Sequence, residues 1–387
     1  MSPLARFALL LSVGVEVAHS SPKGGWKPDG YHVFPEENIQ EALDAAARNP
    51  TNKVVKVHAG VYRPKGRGQA LVWFNQAHDG IQLEAVGKVI LTAANPDLTD
   101  SKDPAHPAVV NHVVYFGDGI TQATLLQGFT ITGANHFVTT QSPEIEPSAD
   151  FKKNLFFYAD GGAIKIFGRS SPTLRHLEIS DNYASPCAGG VSIQQQWPAD
   201  GSVPPAVSIR DCVFRQNRSQ VTGAAVDLLP GSSAVISNCL FLGNASNQGV
   251  NYISNNKAHP EFTNSAPLTV FPTSRALVQH CTFTGNRNGA DDLGHQSVYQ
   301  DCIFWHNDLG GAFYGGARYD LDIEDHAEVT GCVFSGAVLD RRDVVSKQAN
   351  TFNAPDPRFD AQFKPGAPEY ATAGARSPIL SINLPKE

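Results

Sequence analysis

One pattern, apolar-x-x-apolar-x-apolar-x-x-Asn, recurs along the chain and constrains its fold more than any other feature. It reads Leu174, Leu177, Ile179, Asn182, and then Ile209, Cys212, Phe214, Asn217. It returns as Ile236, Cys239, Phe241, Asn244, as Val278, Cys281, Phe283, Asn286, and as Tyr299, Cys302, Phe304, Asn307. Val329, Cys332, Phe334 lacks the Asn, and Leu126, Phe129, Ile131 has its Asn135 one place late. The copies are irregularly spaced, as expected when each turn of a solenoid carries loops of different length. Cys-x-Phe predicts a strand with both residues facing in. The Asn falls at the strand end, where it tolerates left-handed backbone and can bond its own main chain. Stacked on its equivalents in neighbouring rungs, it would form an amide ladder.

A second strand precedes most copies. It reads Gly-Gly-Ala-Ile-Lys-Ile at 161–166, Gly-Gly-Val-Ser-Ile at 189–193, Gly-Ala-Ala-Val-Asp-Leu at 223–228, Gly-Val-Asn-Tyr at 249–252 and Gly-Gly-Ala-Phe-Tyr at 310–314. The glycines mark a bend needing positive φ. Each rung is thus expected to hold a Gly-turn strand, a corner and a Cys-Phe strand. Five of the six cysteines then fall in one inward column. Rungs about 4.8 Å apart do not match the Cβ separation of about 3.8 Å that a disulfide needs. With no Cys-x-x-Cys, these read as buried thiols filling the core, and Cys187 as a free thiol outside the column.

The chain has 387 residues, 41% hydrophobic and 17% charged, ample for a core and too sparsely charged for disorder. A formal charge of −7 leaves no basic footprint for nucleic acid. Arg6, the apolar run from Phe7 to Val15 and Ala18-His19-Ser20 have the form of a secretory signal over residues 1–20. That run is too short to span a bilayer, and no other stretch is apolar enough. The expected mature chain, 21–387, is a secreted monomer.

Asn38 to Ala47 is an amphipathic helix, about 38–48, suited to plugging one end of the solenoid. The opening resembles pectin-lyase-like proteins, through Val54-Val-Lys-Val-His-Ala-Gly60-Val-Tyr62-Arg63 and Gly80-Ile-Gln-Leu83. Gly162-Ala-Ile-Lys-Ile, Ser171-Pro172 to Asn182, and Ala354-Pro-Asp356-Pro357 with Ser377-Pro378-Ile379 resemble bacterial right-handed β-helix repeat proteins. The resemblance implies an all-β chain forming a single right-handed parallel β-helix, with an irregular tail over about 350–387. It is specific for fold and says little about chemistry, because this scaffold hosts many activities.

On the Gly-turn strand the outward column is expected to be Lys165, Ser192, Asp227, Asn251 and Tyr314. Beside it run the small residues Ala163, Gly190, Ala225, Gly249 and Ala312, which would leave a shallow trough. Insertions border this face at 136–160, 195–205, 254–273 and 308–328. They bring Trp197, Phe271, Arg318 and Tyr319, aromatic planes and a cation suited to sugars. A solvated face, with aromatics pinning loops, would look the same.

Three carbohydrate chemistries fit in principle. A lyase needs a base of lowered pKa and a cation such as Ca²⁺. Lys165 with Asp227 is the base candidate, and Asp320 and Asp322 are the candidate Ca²⁺ ligands. A hydrolase needs paired carboxylates. Asp291-Asp292 followed by Gly294-His295 resembles the Asp-Asp and Gly-His signatures of polygalacturonases, which lie on different rungs there and are adjacent here. The Arg-x-Pro-x-x-Arg of pectate lyases and the elements of pectin methylesterases are missing from the sequence. The reading leans to a secreted enzyme on a uronate-containing polysaccharide, lyase ahead of glycosidase, with a non-catalytic carbohydrate-binding or adhesion solenoid as its rival.

Overall fold

The computed structural model describes residues 23–140, 155–196, 204–247, 265–309 and 317–376. Its strands pair almost wholly in parallel with the equivalent strand of the next repeat, so the chain must wind once round an axis per rung. One sheet has nine strands: Gly68–Phe74, Val110–Phe116, Ile164–Gly168, Val191–Gln195, Val226–Leu228, Leu268–Val270, Ala290–Asp292, Leu321–Ile323 and Val338–Asp340. We call it the glycine sheet. The predicted strands at 249–252 and 310–314 lie outside the described residues, and their expected places in this sheet are held by Leu268–Val270 and Ala290–Asp292.

The rest of each rung is two strands, where the sequence predicts one. Thr173–Arg175, Val207–Arg210, Ser233–Ser237, Arg275–Gln279, Ser297–Gln300 and Ala327–Thr330 form one face. Glu178–Ser180, Val213–Arg215, Leu240–Leu242, Thr282–Thr284, Ile303–Trp305 and Val333–Phe334 form the next. The break lies just before each cysteine, where Asp211, Asn238, His280 and Asp301 turn left-handed at φ 57, 53, 50 and 53°. A second left-handed corner uses Gln216, Gly243, Gly285 and His306, each one residue before the repeat Asn. The expected left-handed Asn is therefore its neighbour instead, which leaves the Asn side chain free to point inward.

It points into an amide ladder. Asn182 Nδ2 donates to Asn217 Oδ1 at 3.0 Å, Asn217 to Asn244 at 3.1 Å, Asn244 to Asn286 at 3.0 Å, and Asn286 to Asn307 at 2.9 Å. The same Oδ1 atoms accept the backbone N–H of the preceding Asn, and each Nδ2 also reaches a backbone carbonyl. Buried polar groups are thus satisfied in a chain, as burial demands. Beside the ladder, Phe214, Phe241, Phe283, Phe304, Phe334 and Phe352 stack ring on ring, with centroids 4.3–5.4 Å apart. The column cysteines are buried and free, and the thiols of Cys239, Cys281 and Cys302 each donate to the carbonyl two residues earlier at 3.3 Å.

One hydrophobic cluster runs from Val33 to Val345. The helix Ile39–Ala47, capped by Asn38 accepting from Gln40 N, buries Ile39, Leu43 and Ala46 against one end of it. Past residue 353 the chain lies along the outside of the third face. Ala354, Ala367, Tyr370 and Ala373 pack on Ile303 and Val333, and Ala375 packs on Val213 and Leu240. Only part of the glycine column follows the expected reason. Gly223 has φ +57°, whereas at Gly190 a Cβ would sit 2.2 Å from the Ala225 carbonyl oxygen, so rung-to-rung contact excludes a side chain. No helix among the described residues is long and apolar enough to cross a membrane, and the expected signal falls outside the described residues.

Phe241→Ala should cost about 3–5 kcal/mol of unfolding free energy, read from the urea midpoint. Asn244→Ala removes the acceptor of Asn217 N and Nδ2 and the donor to Phe214 O, and should cost about 1–3 kcal/mol per orphaned group. A reductant should leave the wild-type midpoint unchanged; a drop would mean that disulfides hold the stack.

Candidate functional site

Strand alternation sets what each side of the glycine sheet presents. Ile164, Val191, Val226, Leu268, Ala290 and Leu321 face the core. Between them the register aligns one outward column: Lys165, Ser192, Asp227, Thr269, Asp291, Asp322 and Leu339. Lys165, Ser192 and Asp227 stand in line as expected. Asn251, Tyr314 and Trp197 lie outside the described residues, and Thr269 and Asp291 hold the column places expected for the first two.

The small-residue side of this column is closed, which corrects the expected trough. The glycine bends of the chain fold over it: a Cβ on Gly161 would lie 3.0 Å from Ser192 Cβ, and one on Gly223 only 2.5 Å from Asp227 Cβ. Lys165, Ser192, Asp227, Ala163 and Ala225 are completely buried. Lys165 Nζ donates to Ser192 Oγ at 3.2 Å. Burial pulls its ammonium down to about 8, against the opposing pull of Asp160, whose own carboxyl burial pushes up to about 7. Asp160 accepts from Cys187 N, and Asp227 accepts from Thr222 Oγ1. Burial, then the charge of Asp160, pushes the Asp227 carboxyl well up. Lys165 has the lowered pKa expected of a base, but the glycine bends close over its stretch of the column.

The other side of the column carries a different row. Leu229, Phe271, Leu293, Glu324 and Arg341 follow their strands on successive rungs, each N–H bonded to the rung before. Leu229 is nearly covered, and Phe271 and Leu293 are half-buried. The row ends in an ion pair, Arg341 to Glu324 at 2.8 Å, with Arg341 4.0 Å from Asp322. An apolar strip therefore runs alongside Asp227, Thr269 and Asp291, and Glu324 holds the place beside Asp322.

These carboxyls are strongly perturbed. Burial, then the charges of Asp322 and Glu324, pushes Asp291 well above the usual range. Asp322 is pushed up to about 6 by burial, with Arg341 opposing. Neither Asp322 carboxylate oxygen has a hydrogen-bond partner among the described residues, although the residue is fully buried. Tyr319 is buried at the corner before these strands, its N–H donating to Asn288 Oδ1 at 3.3 Å. Its phenol is pushed up by burial and by Asp291 and Asp322. Arg287 is buried near Tyr319, its guanidinium lowered to about 10 by burial and by Arg318, which is exposed.

The family described as right handed beta helix region matches residues 121–266, within the stretch where the rungs and ladders run. The chain is a right-handed parallel β-helix. Among solved structures it is similar to PfbA, a surface adhesin of Streptococcus pneumoniae, at 13% identity over 81% of this chain and 86% of that chain, with a TM-score of 0.24. A superposition that loose says nothing about a ligand. No curated protein matches the sequence.

Three expected site residues of the β-helix are placed elsewhere. Asp292 is one residue from Asp291, so alternation turns it into the core. There it accepts from Tyr299 Oη and Gly294 N, both at 2.8 Å. His295 turns to solvent, 52% exposed, with Nδ1 3.1 Å from Asp325. Asp320 ends the amide ladder, accepting from Asn307 Nδ2 at 3.0 Å, Ser335 N at 2.9 Å and Gly336 N at 2.6 Å. Its oxygens are taken by N–H groups, so Asp320 and Asp322 do not form the expected Ca²⁺ pair. Among the described residues no group of three or more His, Cys, Asp or Glu is placed to hold a metal ion. The sequence reading took Phe271 as a loop aromatic and left Leu229 and Leu293 out of the site. Their signal was position, two residues beyond each column member, and it was hidden while the strands at 268–270 and 290–292 were unassigned.

Burial pushes Asp292, Asp320 and Asp322 each to about 6 from 3.8. A folded-state pKa above the unfolded one favours the protonated native form. That contribution is complete below about 3.8 and is lost as pH rises through about 6. The urea midpoint should therefore fall between about pH 4 and pH 7, and Asp292→Asn should flatten the slope. A midpoint that rises over this range in both proteins would contradict the assignment.

Proposed function

We propose that this β-helix is a secreted glycoside hydrolase acting on a polysaccharide, with Asp291 as general acid and Glu324 as general base. The observation that carries the reading is the outward carboxylate group of Asp291, Asp322 and Glu324 beside the strip of Phe271 and Leu293. Hydrolysis of a glycosidic bond needs one carboxyl still protonated and one carboxylate to activate water. Burial and two neighbouring negative charges favour the protonated form of Asp291. Glu324 is ion-paired with Arg341 and partly exposed. It stands one rung and two residues from Asp291. With a rise of about 3.3 Å per residue and rungs about 4.8 Å apart, the backbone diagonal between the two residues is about 8 Å. Inverting enzymes hold their carboxyls about 6.5–9.5 Å apart. The half-buried ring of Phe271 offers a face for a sugar to stack on. Export is supported by the signal-like run from Arg6 to Ser20.

Incubation with a polysaccharide panel should release new reducing ends without unsaturated, ultraviolet-absorbing product, and the first-formed product should have inverted anomeric configuration by NMR. Asp291→Asn and Glu324→Gln should each lower kcat by about 10²–10⁴-fold with circular dichroism unchanged. Unsaturated product lost in Lys165→Met would move the chemistry to the buried lysine and make the protein a lyase. Tight sugar binding with no cleavage would make it a binding protein.

A further inference from the structure

The charge lining the strip bears on which sugar it takes. Asp291, Asp322 and Glu324 face it, and Asp325 follows at the rim, where it meets the exposed His295. Its cation, Arg341, is already paired with Glu324. Arg287 and Arg318 lie on the opposite flank, at the Tyr319 corner. A chain of uronates laid along this row would bring carboxylate against carboxylate, with a net charge of −7 behind it.

Asp322 adds an independent observation. It is fully buried, it stands in the outward column between Asp291 and Leu339, and both of its oxygens lack a hydrogen-bond partner among the described residues. Arg341 lies 4.0 Å from its Oδ2, beyond hydrogen-bond reach. A buried carboxylate in this condition is costly unless a donor or a positive charge completes it. The flanking strip of Leu229, Phe271 and Leu293 would cover the apolar face of a pyranose and leave its equatorial substituents toward the column.

We infer that Asp322 is a binding residue for a protonated amine, and that the substrate is a polymer of free amino sugars. This rests on the hydrolase reading for its chemistry, but the amine subsite is a matter of binding alone. A primary ammonium supplies up to three N–H donors and a full positive charge to the two Asp322 oxygens. An N-acetylated amine supplies one neutral N–H and more bulk, and a uronate supplies repulsion.

The test is calorimetric binding to the full chain of three oligosaccharides of equal length: de-N-acetylated glucosamine, its N-acetylated form and galacturonate. Reducing ends are counted in parallel on the corresponding polymers. The amine oligomer should bind about 10–100-fold more tightly than the other two, and added salt should narrow the gap. Asp322→Asn should reduce amine binding to the level of the N-acetylated oligomer and leave the latter unchanged. Its urea midpoint near neutral pH should not fall, because an uncompensated charge has been removed. Equal binding of the N-acetylated oligomer, tighter binding of galacturonate, or no effect of Asp322→Asn would overturn the inference. Cleavage of the uronate polymer would do so while sparing the hydrolase reading. Amine binding lost in Asp322→Asn, with no polymer cleaved, would spare the subsite and sink the hydrolase.

Discussion

The amide ladder is the contact on which the rest of the molecule depends. A strand in a parallel stack can slip by one residue, and such a slip exchanges its two faces. Phenylalanine stacking tolerates small displacements along the strand, since offset rings also attract. The ladder does not. Each Oδ1 from Asn217 to Asn307 serves the Nδ2 and the backbone N–H of the preceding Asn, and each Nδ2 serves the next Oδ1 and a carbonyl. Moving one rung by a single residue would orphan several buried groups at once. The ladder thereby fixes which residues of the glycine sheet face out, and so aligns Asp291 with Asp322.

Where the ladder ends, its last acceptor is a carboxylate. Asn307 finds Asp320 in place of another amide, and Asp320 also accepts two backbone N–H groups from the start of the next turn. An amide in that position would have to spend an NH₂ group on the same N–H donors. The substitution of Asp for Asn therefore follows from the hydrogen-bond inventory of the final rung. It also explains why an acidic stretch that reads as a cation site is partly structural.

The repeat, the buried thiols and the helix at the open end were legible in the sequence because each is a local pattern repeated many times. Leu43 and Cys239 declare their burial through period and column alone. The third strand per rung was not legible, because its corner is set by backbone dihedrals at Asp211, Asn238 and His280, residues that a surface loop would also use. The site was legible in part. Lys165, Ser192 and Asp227 fall in one column as read, but their burial comes from backbone packed over them, and no pattern of side chains reveals it. Asn251 and Tyr314 were placed by their glycines, while the column continues at Thr269 and Asp291, where long insertions break the count.

Asp291 and Asp292 show how much one strand boundary decides. Read as a turn, the pair would share a solvated environment and titrate alike. As the end of a strand they face opposite ways. Asp292 meets Tyr299 and the Gly294 amide and lies against the core. Asp291 meets the charges of Asp322 and Glu324. Burial raises both carboxyls, yet only in Asp291 do neighbouring carboxylates add to it as the next largest causes, whereas donors oppose it in Asp292. Two identical side chains on adjacent residues thus receive different work. One completes a buried network that holds a rung, and the other stands in the outward column among carboxylates that favour its protonated form.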